Sequence, residues 1–394
     1  MTEPTALLLA HFSGYLLQFR GALIAELVAR GYRTVVAVPD LGESVRTGLI
    51  ALGAEPLEIA MSRTGLNPLA DLAYARRVGR LMRDLRPQLV IATGIKPILH
   101  GIPAAQTWGA GTRVPLFAGL GSMIRPESRM HRALAAAVSP LVRRAIRCST
   151  HVVTQNEDDS RLLAERFAAE MRCPLIATCG SGVDLAHYRV EPMRPGKKVL
   201  MTSRIVPEKG VAEFFAAAGA IRQLDPDVSF RLAGFFESST RGLSRAWLDE
   251  QCRVTGARYV GHVEDIRPLM AESSMLVLPS YAEGRPRAVQ EALAMGRPVV
   301  TTDAPGCRDS IIDGVHGRIV PTRNSAALAQ AIREVLHMAE SPSIIEHCRG
   351  YAERRYCSMS IARNMLDKVE WIQKSASGAS WDSAPRGAWW SPHR

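Results

Sequence analysis

Two carboxylates eight residues apart, Glu283 and Glu291, stand in the segment LVLPSYAEGRPRAVQEALAMGRPVVTTDAPGCRD. The first precedes an expected helix and the second lies inside it, so both can face one bound ligand. Glu291 falls within the apolar stripe Ala288, Val289, Ala292 and Leu293, an odd place for a side chain that is merely solvated. Backbone N–H groups around Gly284, Arg285 and Arg287, at a helix start marked by Pro286, suit a diphosphate, while the carboxylates accept hydrogen bonds from sugar hydroxyls. A second segment, TSRIVPEKG, carries Arg204 and Lys209 around a turn that opens another helix. Two cations and free helix N–H groups make a diphosphate clamp, able to stabilise charge on a departing nucleotide without a metal.

These groups must be positioned by strands and helices, and the hydrophobic pattern supplies them. Strand-like runs at Thr5 to Ala10, Thr34 to Val38, Leu89 to Thr93, Val114 to Ala118 and Val152 to Gln155 alternate with helical periodicity over 19–30, 69–85, 98–108 and 130–146. A Pro- and charge-rich stretch, HYRVEPMRPGKK, reads as a linker. A second series follows: strands at 198–202, 229–233, 258–260, 275–278 and 298–302, with helices at 211–224, 245–255, 286–295, 325–338 and 359–374. Such alternation predicts two parallel sheets covered by helices, and a chain of 394 residues is long enough for two cores.

Net charge is +11, and residues 61–150 account for it, with fourteen Lys or Arg against three acids. A basic first domain implies an anionic partner: nucleic acid, an anionic membrane face or a phosphorylated acceptor. The helix expected within Ser128 to Cys148 combines an Ala/Leu/Val face with Arg129, Arg132, Arg143, Arg144 and Arg147, as an interfacial helix would. Trp381, Trp389 and Trp390 in the terminal tail could join it at a headgroup layer. Few aromatics interleave with the basic run and no nucleic-acid motif appears, which argues against a nucleic-acid binder. Seven scattered cysteines without metal-ligand spacing fit reduced thiols in a cytoplasm. No run approaches the length of a membrane-spanning helix. Glu264-Asp265 and Asp158-Asp159 read as helix caps and not as metal ligands. GAGTRVPLFAGLG has the wrong spacing for a dinucleotide fingerprint.

From Leu7 to about Leu366 the chain resembles glycosyltransferase family 4, the retaining GT-B enzymes. The likeness rests on the Glu283/Glu291 pair, EALAMGRPVVTTDAPGCRD, SRIVPEKG and GSGVDLAHY. FRGALI, GIKP, the GLG of Gly119 to Gly121 and TQNEDD resemble the branch acting on polyprenyl-diphosphate-linked glycans. The resemblance implies an α/β GT-B fold of two Rossmann-like doubly wound domains with a cleft between them. Expected boundaries are 1–189 for the acceptor-binding domain, 190–357 for the nucleotide-sugar domain, 358–374 for a helix returning to the first, and 375–394 for a disordered tail. Glu283 would contact the donor sugar, Glu291 the ribose, and Arg204 and Lys209 the diphosphate, with Gly284, Arg285, Pro286 and Arg287 around them. The turn HFSGYLLQFRG lacks the double glycine frequent in the family; Ser13-Gly14 would take its place, Gly14 towards the donor. His11, Ser13 and Arg20 are expected on the acceptor side. Lys96, in a Lys96-Pro97 turn, and His100 are expected at a strand end with Glu283 as catalytic groups.

The resemblance also implies transfer of a sugar from a nucleotide-sugar donor, expected to be a UDP-sugar, to a lipid-diphosphate-linked saccharide, with no cofactor and no metal. The enzyme would sit in the cytoplasm, peripheral on an anionic membrane. The other readings are a nucleotide-sugar epimerase of similar fold, for which no acid and base set near C2 is evident, and the basic nucleic-acid binder.

Overall fold

In the computed structural model, residues 3–62, 67–120, 129–236 and 243–376 are described. They divide into two units: residues 1–181 with 358–394, and residues 182–357. In the first unit the order is β1 (Thr5–Ala10), α1 (Leu16–Ala29), β2 (Arg33–Val38), α2 (Glu43–Ala51), β3 (Glu55–Glu58), α3 (Pro68–Leu85), β4 (Leu89–Thr93), α4 (Ile95–Thr107), β5 (Thr112–Phe117), α5 (Arg129–Arg147), β6 (Val152–Thr154), α6 (Glu157–Arg166) and β7 (Leu175–Ala177). The sheet is parallel, ordered β3-β2-β1-β4-β5-β6-β7. Every residue of TALLLA is buried, as a strand covered on both faces requires. Leu7 and Leu9 enter one core with α3, α4 and α5; Ala6, Leu8 and Ala10 enter the other with α1.

The second unit runs β8 (Lys198–Thr202), a short 3-10 turn (Pro207–Lys209), α7 (Val211–Leu224), β9 (Ser229–Ala233), α8 (Arg245–Thr255), β10 (Arg258–Gly261), α9 (Arg267–Ala271), β11 (Met275–Leu278), α10 (Arg287–Ala294), β12 (Val299–Thr302), β13 (Gly317–Val320), α11 (Ser325–Met338) and α12 (Ser343–Arg355). Its parallel sheet is ordered β10-β9-β8-β11-β12-β13. The chain then returns to the first unit as α13 (Ser358–Ala376), whose Met365, Leu366 and Val369 join the core beside α1. Arg30 fixes that helix through ion pairs with Asp367 and Glu370.

The division falls between Ser181 and Gly182, earlier than the expected change after Arg189. Three arginines of the second unit explain this. Arg287 donates to Gly182 O, Arg349 to Leu185 O and Tyr188 O, and Arg297 to Glu191 O and Pro192 O. Val183 also donates its N–H to Tyr356 O. The stretch read as a linker is thus stapled to one side. Helix α13 extends to Ala376, past the expected tail start at 375; residues 377–394, with Trp381, Trp389 and Trp390, lie outside the described residues, as does Gly121.

Candidate functional site

In each sheet the winding reverses between two adjacent strands, β1 and β4 in the first unit and β8 and β11 in the second. Loops leaving the carboxyl ends of such strands diverge, and that is where open α/β sheets hold ligands. In the second unit those loops are 203–210 and 279–286, joined by 303–309 after β12. Their close approach depends on glycine. Gly210, at φ +70°, would place a Cβ 2.2 Å from Pro279 O, and Gly306, at φ +76°, one 2.0 Å from Glu283 O. Backbone hydrogen bonds complete the join: Tyr281 N–H to Glu208 O at 2.8 Å and Glu283 N–H to Pro305 O at 3.0 Å.

Glu283 and Lys209, expected on different parts of one ligand, are hydrogen-bonded to each other. The oxygen that receives Lys209 Nζ, Oε1, also receives Ser280 Oγ at 2.8 Å. Ser280 is itself buried and its carbonyl accepts from Thr302 Oγ1. Beneath, Cys307 faces Glu283, Thr301 and Thr302, and burial pushes its thiol up to about 12.

Glu291 repeats the pattern. Its Oε1 receives Tyr188 Oη at 2.8 Å and Arg287 Nε at 2.8 Å. Only 6% of the residue is exposed, and burial raises its carboxyl pKa, opposed by Arg287 and Tyr188. Each carboxylate therefore has one oxygen held by a cation and a hydroxyl, and among the described residues no hydrogen bond reaches either Oε2. Helix α10 begins at Arg287, one residue after the expected start at Pro286, which stands at its N-cap. The buried Arg285 guanidinium donates to Asp309 Oδ2 at 2.7 Å. Arg204 is exposed on the loop after β8, close in sequence to Lys209.

Sequence reasoning missed Tyr188 and Ser280. Tyr188 was visible only as the last letter of GSGVDLAHY, 103 positions from its partner, and no periodicity links positions that far apart. Ser280 precedes Glu283 by three residues in a turn, a spacing that carries no chemical signature by itself.

In the first unit, Ser13 Oγ donates to Asp40 O at 2.8 Å, and Gly14 lies exposed in the turn between β1 and α1. His11 is exposed, its ring beside Gly94. Arg20 is buried and donates to Thr93 Oγ1 at 3.2 Å, and among the described residues its Nε has no hydrogen-bond partner. Burial pulls that guanidinium down to about 10. Lys96 and Pro97 form no turn; they lie in the first turn of α4 because Gly94, at φ +93°, caps that helix directly after β4. Lys96 is buried against Asp71, 2.7 Å away. His100, one turn on, packs edge-to-face on Tyr74, and burial lowers its pKa. Lys96 and His100 thus belong to the first unit and Glu283 to the second. Asp265 accepts the N–H of Arg267 at the start of α9, and Asn156 caps α6 by accepting Asp159 N–H, so both acidic pairs sit at helix starts.

Two doubly wound parallel units, the second with a paired-glutamate loop and a Lys-bearing turn at its switch point, define a sugar-transferring architecture of the GT-B kind. Residues 18–177 match the family described as "Glycosyl transferase 4-like domain" and residues 196–338 that described as "Glycosyl transferases group 1". The chain belongs to these GT-B glycosyltransferases. It is 25% identical over 343 residues to the N,N'-diacetylbacillosaminyl-diphospho-undecaprenol alpha-1,3-N-acetylgalactosaminyltransferase of Campylobacter jejuni, spanning 83% of this chain and 88% of that one. Among solved structures, sucrose-phosphate synthase of Thermosynechococcus elongatus shares the fold with a TM-score of 0.74 at 16% identity, over 94% of this chain and all of that one. Anabaena Alr3699/HepE in complex with UDP and glucose does so with 0.72 at 19%, over 93% and 99%.

Proposed function

We propose that the protein transfers a sugar, with retention of anomeric configuration, from a UDP-sugar to a lipid-diphosphate-linked saccharide at an anionic membrane surface. The observation that carries the donor half is the arrangement of the two glutamates, each held through Oε1 with Oε2 left for a ligand hydroxyl. The bound UDP and glucose of the Anabaena protein support a uridine nucleotide. Glu283 would accept from a donor-sugar hydroxyl and Glu291 from the ribose, while Lys209 and Arg204 face the diphosphate. In the transfer, the acceptor hydroxyl oxygen bonds to the anomeric carbon and the bond from that carbon to the β-phosphate oxygen breaks. The electron pair goes to the diphosphate, which also takes the hydroxyl proton on the same face of the sugar. No protein nucleophile is required, and the cations stabilise the leaving charge.

The acceptor half rests on the Campylobacter relative, whose name specifies a diphospho-undecaprenol substrate, and on the surface of the first unit. Helices α3, α4 and α5 lie side by side on one face of its sheet. Exposed there are Arg76, Arg77, Arg80 and Arg83 on α3, and Arg132, Arg144 and Arg147 on α5 beside Ala133, Ala136, Ala137, Pro140 and Leu141. Arg143 and Arg147 share Glu170, so part of this charge is already neutralised. An apolar strip edged by arginines fits an anionic headgroup layer. Proton NMR of the reaction product tests the stereochemistry: the anomeric coupling of the new linkage should match that of the donor, and an inverted coupling would refute the mechanism.

A further inference from the structure

We propose that Tyr188 is a positioning residue for Glu291: its hydroxyl and the Arg287 guanidinium converge on Oε1 and turn the carboxylate so that Oε2 is presented to the donor. This rests on the reading of Glu291 as a donor-binding group. The side chain of Tyr188 is buried, and it is fixed at both ends. Its N–H donates to Asp184 O at 2.9 Å, its carbonyl accepts from Arg349 Nη1 at 2.8 Å, and its hydroxyl reaches Glu291. The turn that carries it is held by Asp184 Oδ1, which accepts the N–H groups of Ala186 and His187, and by Arg287 Nη1 on Gly182 O. Arg287 also lies 6.0 Å from the Tyr188 ring centroid. The three side chains therefore form one hydrogen-bonded unit, spanning 103 residues of sequence.

A carboxylate this buried is costly to ionise, and an isolated one would take up a proton instead. The groups that oppose this are Arg287 on its own helix, and Tyr188 and His187 from the turn. Helix α12, which packs on α10, contributes Arg349, but its guanidinium is spent on Glu353 Oε1 and on Ala294 O, Tyr188 O and Leu185 O. Strand β11 presents buried apolar residues, and β12 presents Val299 and Val300 with the uncharged hydroxyls of Thr301 and Thr302, which donate to Leu278 O and Ser280 O. Among the described residues Tyr188 is thus the one neutral donor on Glu291, and its hydroxyl favours the charged form. A protonated Glu291 would have one oxygen converted to a donor and would accept poorly from a sugar diol.

The test compares Tyr188→Phe, Glu291→Gln and the double variant, each with its unfolding midpoint measured, for donor KM, kcat and the pH profile of kcat/KM. Losing the hydroxyl should raise donor KM about tenfold with kcat changed less than about threefold. The acid limb should move to higher pH by roughly one unit, because the bond lost had held the carboxyl ionised. The double variant should be no worse than Glu291→Gln alone, since the hydroxyl then has no carboxylate to orient. Fluorotyrosine at position 188, a stronger donor of the same shape, should move the acid limb the opposite way, and it serves if Tyr188→Phe fails to fold. If Glu291→Gln is impaired while Tyr188→Phe keeps wild-type KM and acid limb, the positioning role is wrong. If Glu291→Gln itself binds and turns over donor like wild type, it is the donor reading that fails.

Discussion

Lys209 Nζ bonds to Oε1 of Glu283, joining the turn after β8 to the turn after β11. The same lysine is thereby tied to two tasks: it orients the carboxylate and, on the reading above, meets the diphosphate. Replacing it by Ala removes both and should lower kcat/KM by about a hundredfold or more. Lys209→Arg, which keeps the charge but not its shape, should recover only part. Initial rates of nucleotide release decide this; a Lys209→Ala enzyme within about threefold of wild type would show the pair to be incidental.

Arg297 is fully buried and donates to the carbonyls of Met270, Ala271, Glu191, Pro192 and Met295. Burial draws its guanidinium down to about 10. Arg297→Met would remove the guanidinium donors from those carbonyls, leaving Met270 O with the N–H of Ser273, and should cost about 3 kcal/mol or more. Urea unfolding of the two proteins gives the difference, and a loss under about 1 kcal/mol would mean the staple is redundant.

His151 and His316 are buried, and burial depresses both rings to about 4. His316 Nδ1 accepts the N–H of Ile312, which a proton there would abolish. Unfolded, each ring would titrate near 6.5. Between those values the unfolded chain binds more protons than the folded one, so stability is complete above pH 6.5 and is lost as pH falls towards 4. Imidazole NMR signals should show both rings neutral at pH 5.5; titration near 6.5 would contradict the burial argument.

Flotation with vesicles tests the arginine-edged surface of α3 and α5. Binding should require anionic lipid and fall steeply between about 50 and 300 mM salt. Replacing Arg132, Arg144 and Arg147 together by Gln should reduce it severalfold with the unfolding midpoint unchanged. Equal binding to neutral vesicles would remove the electrostatic account.

Much of this fold was legible because its strands are buried on both faces and its helices are bounded by Gly, Pro and Asn. The β1, β4, β8, β9 and β11 spans, and helices α7, α8 and α11, fall where periodicity puts them. Weakly apolar elements escaped: α2, β3 (EPLE), β7 and β13 are short or half-exposed, and their pattern is indistinct. At the site, the glutamates and Lys209 were readable from local spacing. The partners that orient them were not, because Tyr188 and Ser280 acquire meaning only when a turn or the distant 182–188 segment is folded into place. Lys96 misled for a related reason: Gly94 starts a helix where Lys-Pro suggested a turn.

The central claim is most directly tested by following nucleotide release from UDP-sugars with and without a polyprenyl-diphosphate-linked saccharide, in the wild-type protein and in Glu283→Ala. The account predicts release only when the acceptor is present, undiminished by EDTA, and reduced at least about a hundredfold in the variant. Acceptor-independent conversion of the donor, or full activity in Glu283→Ala, would contradict it.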